Sequence, residues 1–108
     1  MGVYKIEEIA ERVRPIAERY GTGKIYLFGS YARGEATEES DIDLLVDAEN
    51  VIGLQFFGMY GDLEEALQKE LDLITTNALY DARKTDRLTV KLRDGIERDR
   101  RLIYDRPR

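Results

Sequence analysis

Residues Phe28 to Asp47, FGSYARGEATEESDIDLLVD, hold the side chains best suited to chemistry. An apolar run ends in Gly29-Ser30, and Asp41 and Asp43 follow after ten intervening residues. Glycine lets backbone amides approach an anion closely, and an adjoining helix start favours negative charge. Ser30 adds a hydroxyl donor. Together they suit the outer phosphates of a nucleotide. Asp41 and Asp43, two apart on an expected strand, point to one face, roughly 6.6 Å apart along the chain. Carboxylates so placed repel, and one protonates unless a cation lies between them. A Mg²⁺ shared by carboxylates and substrate phosphates removes that conflict. The alternation by itself suits the wet face of an edge strand equally well.

Composition narrows the chemistry further. The 108 residues contain no histidine and no cysteine, so imidazole bases, thiol nucleophiles, disulfides and Cys/His zinc sites are excluded. A metal must be held by oxygen, which favours Mg²⁺, Mn²⁺ or Ca²⁺. An acid–base catalyst must be Asp, Glu, Lys or Tyr. Seventeen basic against 22 acidic residues leave a net charge of −5, against direct nucleic-acid binding through phosphates, although a local basic face stays open. No apolar run is long enough for a membrane span and the N-terminus has no signal-like apolar stretch. A cytoplasmic protein with one domain over residues 1–108 is expected. The charged fraction, 36%, suits thermophilic and mesophilic proteins alike.

The elements that must position these residues can be read from periodicity. Ile6, Ile9, Val13, Ile16 and Tyr20 recur every three or four residues, which predicts an amphipathic helix. Pro15 should kink or divide it, and Gly21 and Gly23 should end it. Strands are expected at Lys24–Phe28, Asp41–Val46, Leu71–Thr75 and Leu102–Tyr104. Ile42, Leu44 and Val46 should share one face; Asp41, Asp43 and Leu45 the other. Tyr31–Arg33 should open a short helix before a polar loop over Gly34–Ser40. Leu54–Lys69 predicts a second long helix with Phe57, Tyr60, Leu63 and Leu67 on one side, although Gly58 and Gly61 weaken it. Asn77–Thr85 reads as a loop. Asp86 to Arg98 reads as a helix through Leu88, Leu92 and Ile96, interrupted by Gly95. The fold class is mixed α/β (α+β): a small mixed sheet flanked by helices.

With those elements in place, GSYARGEATEESDIDLLV resembles the signature of the polymerase-beta-like nucleotidyltransferase superfamily, and most of all its minimal nucleotidyltransferase (MNT) proteins. The resemblance covers essentially the whole chain. It implies that Asp41 and Asp43 hold two Mg²⁺ ions, with Mn²⁺ as a substitute. Asp72, in Leu71-Asp72-Leu73-Ile74, matches the family's third carboxylate; it would share the second metal and help activate the attacking hydroxyl. Gly29 and Ser30 would hold the triphosphate of ATP, with Arg33 as a phosphate clamp. Arg33 is equally placed to pair with Glu35, Glu38 or Glu39. The implied reaction is attack on the α-phosphate with release of pyrophosphate. The implied partner is a HEPN-domain toxin, a ribonuclease silenced by AMP on a tyrosine, the MNT protein being the antitoxin. A homo-oligomer is the other implied assembly. Two alternatives stay open: an antitoxin that acts by binding and occlusion, and a small-molecule nucleotidyltransferase of the aminoglycoside-modifying kind.

Other features read more plainly. Gly21-Thr22-Gly23-Lys24 is no P-loop, because Ile25 rather than Ser or Thr follows the lysine. Asp47 reads as strand-end punctuation, and Glu97 to Arg108 as a solvated, salt-bridged tail. Phe56, Phe57 and Tyr60 cannot all face one core, which leaves one or two for a protein interface.

Overall fold

A computed structural model describes residues 2–49 and 51–107. Its elements are α1 (Ile6–Tyr20), β1 (Ile25–Phe28), α2 (Gly29–Arg33), β2 (Ile42–Val46), α3 (Leu54–Leu67), β3 (Leu71–Thr75), α4 (Thr76–Leu79), α5 (Arg87–Asp99) and β4 (Arg101–Tyr104). The strands form one mixed sheet in the order β3-β2-β1-β4. β1 is antiparallel to β2 and β4, whereas β2 and β3 are parallel. Parallel neighbours need a long crossover, and α3 supplies it.

The expected alternation in β2 sorts the molecule into two layers. Ile42, Leu44 and Val46 enter the main core with Ile25 and Leu27 of β1 and the apolar stripes of α1 and α3. Leu45 faces the other side, where it packs with Leu79 of α4 and Ile96 of α5. Asp43 shares that second face, which α4 and α5 cover in part.

Several expectations need correction. α1 is not divided at Pro15: Val13 before it and Ile16 and Ala17 after it are all buried, so packing holds both halves against the core. Gly95 likewise leaves α5 unbroken; its start is capped by Asp86, whose carboxylate accepts from the Thr89 amide. β2 begins at Ile42, so Asp41 stands one residue outside the strand. In α3 the buried stripe is Met59, Leu63 and Leu67, and Phe57 is 73% exposed. The expected loop after Asn77 hides a helical turn, α4, because Thr75 caps the Ala78 amide and Leu79 is buried. The strand expected at Leu102–Tyr104 forms as β4 against β1 and the end of the chain is salt-bridged as expected, Arg106 to Glu49 at 2.8 Å, but it is not solvated throughout, since Tyr104 is buried. Arg108 lies outside the described residues.

Candidate active site

Sheet register builds the site. The antiparallel pairing sets Phe28 opposite Asp43, and the parallel pairing sets Asp43 opposite Asp72. Gly29 therefore follows β1 beside the two carboxylates. It adopts φ +75°, a conformation L side chains rarely take, and a Cβ there would collide with the Asp43 carboxylate. Ser30 sits half-buried on the next residue of α2, with its carbonyl accepting from the Glu35 amide at 2.9 Å.

The carboxylates are not equivalent. Asp41 and Asp72 are exposed, whereas Asp43 is half-buried. Burial pushes the Asp43 carboxyl up to about 7; a hydrogen bond with Asp72, the Asp72 charge and the Asp41 charge push the same way. Arg33 opposes them only weakly. The repulsion expected between Asp41 and Asp43 is thus mainly between Asp43 and its cross-strand neighbour.

That donor set fits a hard divalent cation. Two adjacent oxygen ligands with unbalanced charge are what Mg²⁺ requires when substrate phosphates complete its shell. Among the described residues no three acidic side chains converge into a finished cation cage. Asp43 and Asp72 supply the pair, and Asp41 stands beside it.

Around the carboxylates lies a cavity of about 400 Å³ with an apolar wall of Phe28, Leu73, Ile74 and Leu92. Sequence reading missed this wall, although Leu88, Leu92 and Ile96 at four-residue spacing signalled it. Only Ile96 is buried; Leu92 is 48% exposed and overhangs the carboxylates. Arg33 takes one of the acidic partners expected for it and adds a second. Its guanidinium holds Glu35 at 3.0 Å and Asp99 of α5 at 3.2 Å. It thereby ties α2 to α5. A larger hollow, about 510 Å³, lies away from the carboxylates around Tyr4, Arg12 and Lys69. There the polar groups already serve the fold, on the carbonyls of Leu67, Ala66 and Glu38.

Comparison with known proteins settles the family. The family model described as "Nucleotidyltransferase domain" matches residues 6–102. The chain belongs to that family. This nucleotidyltransferase domain is 38% identical to the protein adenylyltransferase MntA of Thermococcus cleftensis, over 73% of this chain and 85% of that one. A crystal structure of a toxin–antitoxin pair with AMP-PNP superposes at a TM-score of 0.64, with 22% identity, over 90% of this chain and 73% of that one. A tri-AMPylated Shewanella oneidensis HEPN toxin in complex with its MNT antitoxin gives a TM-score of 0.58, with 19% identity, over 91% and 71%. At such identities these two structures speak for the fold alone, a mixed four-stranded sheet flanked by helices. No helix among the described residues is long and apolar enough to cross a membrane.

Proposed function

We propose that this nucleotidyltransferase is an antitoxin that transfers AMP from ATP to a tyrosine hydroxyl of a HEPN-domain toxin, silencing it. One observation carries the reading. Gly29 is seated against Asp43, and Asp43 lies in register with Asp72, so a backbone phosphate cradle adjoins a carboxylate pair. The name of the Thermococcus cleftensis relative, a protein adenylyltransferase, and the AMPylated toxin of the Shewanella oneidensis complex support the choice of reaction and acceptor.

In this reading the pair Asp43 and Asp72, with Asp41 beside it, would hold Mg²⁺, which would stabilise charge on the attacking and leaving oxygens. Gly29 and Ser30 hold the triphosphate. The acceptor oxygen bonds to the α-phosphorus and its proton passes to Asp72. The bond from that phosphorus to the bridging oxygen breaks, and pyrophosphate leaves. Arg33 positions α2 against α5 through Asp99, since a phosphate would have to displace two carboxylates from it. The apolar wall of Phe28, Ile74 and Leu92 suits the ring of a tyrosine acceptor.

Co-expression with the toxin tests the reading. Growth should be rescued by the wild-type chain and not by the Asp41→Asn/Asp43→Asn variant, at equal levels of folded protein. Rescue by the variant would establish occlusion as the means of silencing.

A further inference from the structure

We propose that the open edge of β3 takes an extended segment of the acceptor protein as an added strand, which delivers the acceptor tyrosine to Asp72. The inference rests on the transfer reading and adds how the protein substrate docks. Hydrogen-bond parity defines the edge. The Ile42 amide donates to the Glu70 carbonyl at 3.1 Å, and Ile42 lies opposite Leu71. In a parallel ladder with that register, Glu70, Asp72 and Ile74 bond to β2, while Leu71, Leu73 and Thr75 aim their amides and carbonyls away from it. β3 is the outermost strand on that side. The Tyr60 hydroxyl donates to the Leu71 carbonyl at 2.8 Å. Among the described residues no hydrogen bond meets the Leu73 amide, the Leu73 carbonyl or the Thr75 amide. Donor, acceptor and donor in that order match the backbone of one extended peptide.

The two edges of the sheet are built differently. β4, at the far edge, has a register shift against β1 and is followed by Pro107. A bulge and a proline both hinder the addition of a strand. β3 keeps its register with β2 from Leu71 to Thr75 and carries neither guard.

The unguarded edge is also the one beside the chemistry. Leu73 turns its side chain toward the main core, on the opposite face from Asp72 and Ile74, yet it lines the carboxylate cavity. The cavity therefore reaches the β3 backbone. An added strand lies about 4.8 Å from β3, and its residue opposite Asp72 turns its side chain to the same face. A tyrosine at that position meets the carboxylates and the apolar wall of Ile74 and Leu92 without any movement of the chain. The occupant is thus an extended protein segment continuous with the active site.

Backbone amide exchange, followed by NMR on the intact chain alone and in complex with the toxin, AMP-PNP and Mg²⁺, tests this. The Leu73 and Thr75 amides should exchange at least about tenfold more slowly in the complex. The Leu73 amide proton should also show a cross-strand Overhauser contact to a toxin α-proton. Thr75→Pro removes one outward amide and leaves the bonds to β2 in place. It should bind the toxin about tenfold more weakly than Thr75→Ala, which loses the same hydroxyl but keeps the amide. The exchange measurement decides whether or not Thr75→Pro folds. A toxin that is labelled while both amides exchange as fast as in the free chain would overturn the edge docking and leave AMP transfer intact. Equal toxin affinity in the two folded Thr75 variants would overturn it as well. Slow exchange at Leu73 that depends on the concentration of the chain alone would assign the edge to a second copy, against the proposal. A toxin never labelled by the wild-type chain would overturn the transfer reading, and this inference with it.

Discussion

Gly29 is the residue on which the site depends most narrowly, since its positive φ and its contact with Asp43 both exclude a side chain. Gly29→Ala should cost at least about 2 kcal/mol, from left-handed strain and the displaced carboxylate, read as a lower Tm. Two residues further along the chain, Tyr31 carries the one buried side-chain polar atom without a partner among the described residues, its hydroxyl. Tyr31→Phe removes that unsatisfied group and should stabilise the protein by about 1 kcal/mol. The raised Asp43 carboxyl predicts a pH dependence for the metal-free protein. Its pKa is about 7 when folded and near 3.8 when unfolded, so the folded state holds the extra proton between those values. Stability then falls as pH rises from about 4 to 7, and the loss is complete above 7. Asp43→Asn should flatten that slope in urea titrations across this range and stabilise the metal-free chain at pH 8. The gain should be on the order of 1 kcal/mol, because water screens a half-exposed carboxylate. At this scale the sequence was legible where the chemistry is local. Gly29, Ser30, Asp41 and Asp43 lie in one short stretch, with a spacing that resembles a known signature. Of the two partners of Arg33, Glu35 was legible two residues away, but Asp99 was not, because it lies 66 residues away and only the packing of α5 brings it near.

Among the elements, α3 and α5 separate what periodicity can and cannot decide. In α3, Phe56, Phe57, Met59, Tyr60, Leu63 and Leu67 offer more than one apolar stripe, and the sequence does not say which faces the sheet. The structure buries Met59, Leu63 and Leu67. Leu63→Ala should therefore cost about 2–5 kcal/mol, whereas Phe57→Ser should change stability by less than about 0.5 kcal/mol. A large loss for Phe57→Ser in chemical denaturation would reverse the assignment of that face. α5 was legible as a helix but not as a wall of the site. Its stripe Leu88, Leu92 and Ile96 looks like an ordinary core face, yet only its last residue reaches the small second core. α4 was missed because a single turn held by one Thr75 cap has no period to read.

Over the whole molecule, the two faces of the sheet have separate duties. One carries the large core that α1 and α3 close; the other carries the carboxylates and is only partly covered. Strand order and direction follow from pairing choices between distant segments, which the sequence expresses only as a mixed α/β pattern. They still decide the chemistry, because the parallel β2–β3 register is what sets Asp72 beside Asp43. The central claim is that this pair, with Gly29, serves transfer of AMP to a protein. Label transfer from α-phosphate-labelled ATP with Mg²⁺, to the toxin partner co-purified with the chain, tests it most directly. The label should appear on a tyrosine of the partner and vanish in the Asp41→Asn/Asp43→Asn variant. A tight complex with a silenced, unlabelled partner would contradict it.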